Sequence, residues 1–255
     1  MTSETYILRR AGRAIRRPQL VVERFKWWFA RYQKYQQMKL DLAAVRRECD
    51  SRQSLREKVE AVVANPVFGA LQKAAEMTGL LEILQKNPPR CVCEIGTAAG
   101  GTLFLLTQVS APDALLLSVD LGLPLENSLV YRRFAGAKQK IVSIRGDSRA
   151  PRTIARVRSA LRGQPLDLLF IDGDHSYAGV KADFHNYSAL VPTGGLIAFH
   201  DIVTDSRTRY GNQDPAAPYT GQVPVFWQEL KARYRTEEIV EHPDQDGYGI
   251  GVVYA

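Results

Sequence analysis

Residues 91–102 read Cys-Val-Cys-Glu-Ile-Gly-Thr-Ala-Ala-Gly-Gly-Thr. A short apolar run stops at Glu94, a glycine-rich turn follows at once, and Leu103 to Leu106 have the apolar content of a helix start. Gly96, Gly100 and Gly101 lack side chains where backbone must pass close to something. Strand, glycine turn and helix in succession present free backbone N–H groups to a nucleotide-like ligand. The spacing is Glu-x-Gly-x-x-x-Gly-Gly, not the Gly-x-Gly-x-x-Gly of dinucleotide binders. A carboxylate at the strand tip suits a ligand with a cationic amine better than one with a pyrophosphate.

Outward from this segment the pattern is regular. Short apolar runs at 91–95, 114–119, 141–145, 167–171 and 195–199 alternate with helix-like stretches at 101–110, 127–138, 151–162 and 177–190. Near-continuous apolar strands alternating with helices predict a doubly wound α/β fold with a parallel sheet covered on both faces. Two further strands, 236–241 and 248–254, are separated by too few residues for a helical crossover, so one of them is expected to run antiparallel. Upstream, Pro18 is placed to open a helix, and the chain is then free of glycine and proline to about Val63, which predicts one or two long helices. A shorter helix is expected over 67–85. The division expected is a basic helical extension over 1–65 and an α/β domain over 66–255.

In an open parallel sheet, ligands bind beyond the carboxyl ends of the strands. Here those ends carry Glu94, Asp120, Asp147-Ser148, Asp172-Gly173-Asp174-His175 and His200-Asp201. Asp120 is placed to accept ribose hydroxyls, and Asp147 with Ser148 to bond an adenine amino group. S-adenosylmethionine has both parts and the cationic amine. If strands four and five are neighbours, Asp172, His200 and Asp201 converge and can bind a divalent cation. Two carboxylates favour Mg²⁺ or Mn²⁺, and an imidazole tilts the preference toward Mn²⁺, Fe²⁺ or Zn²⁺. His175, with an ordinary pKa near 6.5, is the candidate general base. The loop over 202–222 is long for a compact domain and reads as a lid.

The charge is unevenly distributed. Residues 1–34 hold nine Lys/Arg against two Glu, a balance of +7, while the other 221 residues hold 25 of each sign. The basic residues Arg9, Arg10, Arg13, Arg16, Arg17, Arg24, Lys26, Arg31 and Lys34 are interleaved with Phe25, Trp27, Trp28, Phe29 and Tyr32. No apolar run is long enough for a membrane span, and no signal-peptide core or cleavage site is present. Such an arm suits peripheral contact with an anionic membrane, or packing on its own domain or on a second subunit in a homo-oligomer. Three cysteines without a metal-type spacing point to free thiols in a reducing compartment. The expected location is therefore cytoplasmic, with the arm directed at the inner membrane face.

These residues carry a resemblance. Val92 to Gly101 resembles motif I of class I S-adenosylmethionine-dependent methyltransferases. The run Leu166 to Ile202, with IDGDHSY, Asp183 and GGLIAFHDI, is similar to the branch that includes metal-dependent sugar O-methyltransferases and the cephalosporin hydroxylase-like proteins. Gly221 to Leu230 (GQVPVFWQEL) is similar to a helix start in the same branch. The resemblance covers about residues 66–255. It implies a seven-stranded, mostly parallel sheet with the last strand antiparallel. It implies that Glu94, Gly96, Thr97, Gly100 and Gly101 hold the methionine part of the cofactor, that Asp120, Asp147 and Ser148 hold the nucleoside, and that Asp172 and Asp201 are metal ligands with His175 as base. His200 departs from the acidic residue of those enzymes.

The function expected is methyl transfer to a hydroxyl of a sugar, glycan or glycosylated small molecule, with a lipid-linked acceptor as a refinement drawn from the arm. A metal-dependent hydroxylase and a non-catalytic binding protein on the same fold are the alternatives weighed. Nucleic acid is disfavoured as a partner, because the 35–255 part is neutral and no Asn-Pro-Pro-Tyr type motif follows strand four.

Overall fold

The computed structural model describes residues 18–211, 213–214 and 218–255. The arm's Arg9, Arg10, Arg13, Arg16 and Arg17, and part of the 202–222 loop, lie outside the described residues. Helix α1 (Pro18–Ser51) and α2 (Leu55–Val63) come first. They are separated at Arg52–Ser54, where a capping box starts α2: the Ser54 side chain accepts from the Glu57 N–H, and the Glu57 carboxylate accepts from the Ser54 N–H.

Helix α3 (Ala74–Lys86) starts seven residues later than the sequence pattern predicts. Asn65 Oδ1 accepts from the N–H groups of Val67 and Phe68, and this side-chain turn competes with the helix. Then β1 (Cys91–Ile95), α4 (Gly101–Val109), β2 (Leu115–Asp120), α5 (Leu125–Tyr131), β3 (Lys140–Arg145), α6 (Pro151–Leu161), β4 (Leu168–Ile171), α7 (Tyr177–Tyr187), β5 (Leu196–His200), α8 (Ser206–Tyr210), α9 (Val223–Lys231), β6 (Arg235–Ile239) and β7 (Ile250–Tyr254) complete the chain. Helix α5 is shorter than predicted because Phe134 turns inward, edge-on to Phe68 and Phe104. The following turn is held by the Gln139 amide on carbonyls of Thr107 and Ala111.

The sheet has seven strands in the order β3-β2-β1-β4-β5-β7-β6. β7 is antiparallel to β5 and β6 antiparallel to β7, so β6 runs with the parallel strands. Both faces are buried. Val92, Leu116, Phe170 and Ala198 pack under α1–α5, and Cys93, Leu117, Leu169 and Phe199 pack under α6, α7 and α9. Met38, Leu42 and Val45 of α1 and Val59 and Val62 of α2 join the first of these cores. Cys91 and Cys93 share one face of β1, and all three cysteines are free and buried.

Two details set the site. The chain works outward from β1 to β3 and then returns to β4 beside β1, so the β1/β4 junction is the topological switch point where such sheets bind ligands. The register places Ile95 opposite both Val119 and Ile171, and Ile171 opposite Phe199, so Gly96, Asp120, Asp172 and His200 emerge at one level.

Gly101 is fixed by packing. A Cβ there would stand 2.3 Å from the Phe68 carbonyl oxygen and 2.4 Å from the Ala70 nitrogen. Ala is favoured over Gly inside a helix by about 1 kcal/mol. The clash with backbone outweighs that gain, and Gly101→Ala is expected to lower stability by about 2 kcal/mol net in denaturant unfolding.

Candidate active site

The β1 turn is braced by its neighbours. Asp120 Oδ2 accepts from the N–H groups of Thr97 and Ala98 at 3.1 and 3.0 Å, and its Oδ1 from Gly122 at 2.7 Å. The Thr97 hydroxyl meets Ser118 Oγ at 2.8 Å, and the Tyr131 hydroxyl donates to the Ala98 carbonyl at 2.6 Å. A Cβ on Gly100 would stand 2.5 Å from the Tyr131 ring, and Gly100 has φ +94°. The close approaches that require these glycines are therefore to the protein itself.

Beyond the strand ends lies a cavity of about 670 Å³, within the usual range for small-molecule sites. Of the residues singled out from the sequence, Gly96, Asp120, Asp147, Ser148, Asp172, His175, His200 and Asp201 line it. Glu94, Thr97, Gly100 and Gly101 stand behind this lining. Four described non-glycine residues have positive φ; three of them, Ala98, Asp201 and Tyr248, line the cavity. Backbone strain of this kind persists only where the surroundings over-determine it, and it clusters at functional sites.

Glu94 is completely buried and neither carboxylate oxygen has a hydrogen-bond partner. Burial, with the nearby Asp172 and Asp120 charges, pushes its pKa up to about 8. A cationic group brought to this carboxylate would restore its charge, so the donor set fits the amine of the cofactor implied by the sequence.

Asp172, His175 and Asp201 each offer a ligand atom within 4.8 Å of the others. His200 stands outside that group. Its Nδ1 faces Asp172 Oδ1 at 3.3 Å and Asp201 Oδ2 at 3.4 Å. Burial opposes charge on this imidazole, yet the two carboxylates outweigh it and push the pKa up to about 10. With its Nδ1 facing both carboxylates, His200 orients Asp172 and Asp201. Burial works against the Asp172 charge, but His200 and His175 hold its pKa below the usual range. The two carboxylates, Asp172 and Asp201, are hard oxygen donors that fit a divalent cation of the Mg²⁺ or Mn²⁺ kind.

His175 is raised by its contact with Asp172, against burial, and by the Asp201 charge. Its Nδ1 lies 3.1 Å from the Tyr219 carbonyl, which can only accept, so Nδ1 carries hydrogen and Nε2 holds the lone pair when the ring is neutral. Tyr219 belongs to the 202–222 segment. That segment is tied down by buried Asp205, which accepts from the Thr220 N–H and hydroxyl at 2.6 Å each and caps α8 through Thr208.

Sequence reasoning passed over Gln72 and Arg149. Gln72 is buried, donates to Asp172 Oδ2 at 2.7 Å and accepts from the Thr102 hydroxyl at 2.6 Å. Its partner lies a hundred residues away, and no local spacing signals it. Arg149 bridges Asp147 and Asp174 at 3.1 and 3.0 Å across the loops after β3 and β4. Its one signal is its place immediately after Asp147-Ser148.

The Glu94 pKa has a sign that can be measured. The folded value is above the unfolded one, so its contribution to stability is complete below about pH 4.5 and is lost as pH rises toward 8, at most about 1.4 kcal/mol per unit. In denaturant titrations Glu94→Gln should flatten the fall of stability between pH 5 and 8.

Residues 93–202, which run from β1 through the end of β5, match the family described as Methyltransferase domain. The uncharacterized protein y4gI of Sinorhizobium fredii is 29% identical over 121 residues, covering 44% of this chain and 13% of that protein, so the match spans a small part of that relative. Among solved structures, the O-methyltransferase TomG from Streptomyces achromogenes, involved in tomaymycin synthesis and complexed with SAM, superposes with a TM-score of 0.54 at 18% identity, over 80% of this chain and 92% of TomG. The methyltransferase MycE of the mycinamycin pathway, complexed with Mg and SAH, gives 0.51 at 20% identity, over 80% of this chain and 55% of MycE. No described helix is long and apolar enough to cross a membrane. Residues 93–202 thus match a methyltransferase domain, carried on a seven-stranded fold with its cavity at the switch point.

Proposed function

We propose that the chain is an O-methyltransferase that methylates a hydroxyl of a sugar, glycan or glycosylated small molecule, assisted by a divalent metal. The observation that carries this reading is one cavity lined by Gly96 and Asp120 on one side and by Asp172, His175 and Asp201 on the other. S-adenosylmethionine supplies a methyl group already activated on a sulfonium. Asp172 and Asp201, with His175 in reach, would hold a divalent cation, which would supply the Lewis acidity that lowers the pKa of an acceptor hydroxyl.

The chain's own residues do the rest. Glu94, whose buried oxygens have no partner behind Gly96, would neutralise the cofactor amine. Asp120 has lone pairs left for ribose hydroxyls beside its backbone contacts, and Asp147 and Ser148, which line the cavity, would receive the adenine. Asp172 is held by Gln72 on one oxygen and His200 on the other, so its orientation is set before any ligand arrives. His175 keeps Nδ1–H on the Tyr219 carbonyl and takes the acceptor proton at Nε2. The Tyr219 ring stacks beside the base at 6.4 Å, in a stretch tied down by Asp205 through Thr220. Alignment is the main demand, since the displacement needs the acceptor oxygen, methyl and sulfur in line.

Formation of S-adenosylhomocysteine with monosaccharide and glycoside acceptors bearing adjacent hydroxyls tests the reading. Chelator-treated protein should lose turnover and regain it with Mg²⁺ or Mn²⁺. His175→Ala should lower turnover by about 10²–10⁴-fold with S-adenosylhomocysteine affinity, read by calorimetry, within about threefold. Unchanged turnover in that variant removes the base assignment, and turnover indifferent to chelator removes the metal.

A further inference from the structure

Helix α1 carries two stripes. Met38, Leu42, Val45 and Cys49 recur at helical spacing and are buried against the domain. Val22, Phe25, Trp28, Phe29 and Tyr32 form a second stripe, roughly a third of a turn away at 3.6 residues per turn. These five are 45–63% exposed. The aromatic rings among them touch each other: Phe25 stacks on Phe29 at 6.3 Å, and Trp28 on Tyr32 at 5.6 Å. The helix cannot roll to bury them, because its other side is fastened. Arg31 meets Glu126 of α5 at 2.5 Å, Lys34 meets the same carboxylate at 3.5 Å, and the Arg31 guanidinium lies 4.4 Å over the Trp27 ring.

We infer that this stripe docks on the surface of an anionic lipid bilayer. Charge decides between the occupants. Residues 1–34 carry the whole net charge of +7, and Arg24 and Lys26 flank the stripe. A second copy packed here would bring two such arms together, like charge against like. An anionic headgroup layer supplies the opposite sign, and each basic side chain near it adds to the attraction. Exposed Trp and Tyr, with an apolar ring and a polar edge, are the side chains that settle at a membrane–water boundary. The stripe lies along the helix surface with basic residues beside it, as in helices that lie in the interface plane. This inference stands apart from the methyl-transfer reading.

The experiment uses the full-length chain with vesicles of phosphatidylglycerol and phosphatidylcholine, and with phosphatidylcholine alone. Cosedimentation is expected with the anionic vesicles, should weaken as salt rises, and should be accompanied by a blue shift of tryptophan emission. Combined Phe25→Ser, Trp28→Ser and Phe29→Ser should leave the thermal melt in place, as these side chains are solvent-facing, and reduce partitioning by on the order of tenfold or more. Three results overturn the inference: no sedimentation with anionic vesicles at low salt, equal partitioning by the triple variant, or a wild-type dimer that the triple variant dissociates with no vesicle binding by either.

Discussion

The tips of β1 and β4 meet backbone against backbone. A Cβ on Gly96 would stand 1.9 Å from the Asp172 carbonyl oxygen, so only hydrogen fits. The ladder runs through this contact: Asp172 N–H donates to the Ile95 carbonyl at 2.8 Å and Gly96 N–H to the Val119 carbonyl at 2.9 Å. The glycine turn, Asp120 and Asp172 are thereby fixed to one another within a hydrogen-bond length. Any chemistry that joins the two sides of the cavity needs such a shared foundation, and here it is the sheet itself. The strained residues Ala98, Asp201 and Tyr248 are tolerated because the surrounding ladder and packing allow no relaxed alternative.

That convergence crowds negative charge. Asp172 and Asp201 are compensated by His200 and His175, one buried and one partly exposed. Glu94 has no such partner, and burial keeps it protonated well into the neutral range. The asymmetry separates the roles: the compensated pair can act as oriented ligands at neutral pH, while Glu94 gains its charge only when a cation comes to it. His200 stands between Asp172 and Asp201, where the sequence resemblance leads one to expect an acid. A third acid here would add a charge with nothing buried nearby to neutralise it, whereas the imidazole bonds both neighbours.

The fold was legible because its signals are local. Five apolar runs ending in acids and glycines mark a parallel sheet, and all five predicted parallel strands recur within two residues at each end. Helix ends set by tertiary contacts were not legible. Phe134 shortens α5 by entering a core built from residues 68 and 104, and Asn65 delays α3 through a side-chain turn. The site divides in the same way. Residues at strand tips could be read from position alone, but Gln72 and the Tyr219 carbonyl reach the site from distant loops. The exchange of His200 and His175 relative to the carboxylates depends on which way a ring faces, which spacing does not encode.

The lining also constrains the acceptor. Five aspartates border the cavity (Asp120, Asp147, Asp172, Asp174 and Asp201), and its one arginine, Arg149, is already bridged to two of them. Both imidazoles lean on carboxylates. The lining side chains by themselves therefore leave a phosphate or carboxylate facing net negative charge, which only a bound cation would offset. A neutral polyol meets carboxylate and carbonyl acceptors for its hydroxyl hydrogens instead.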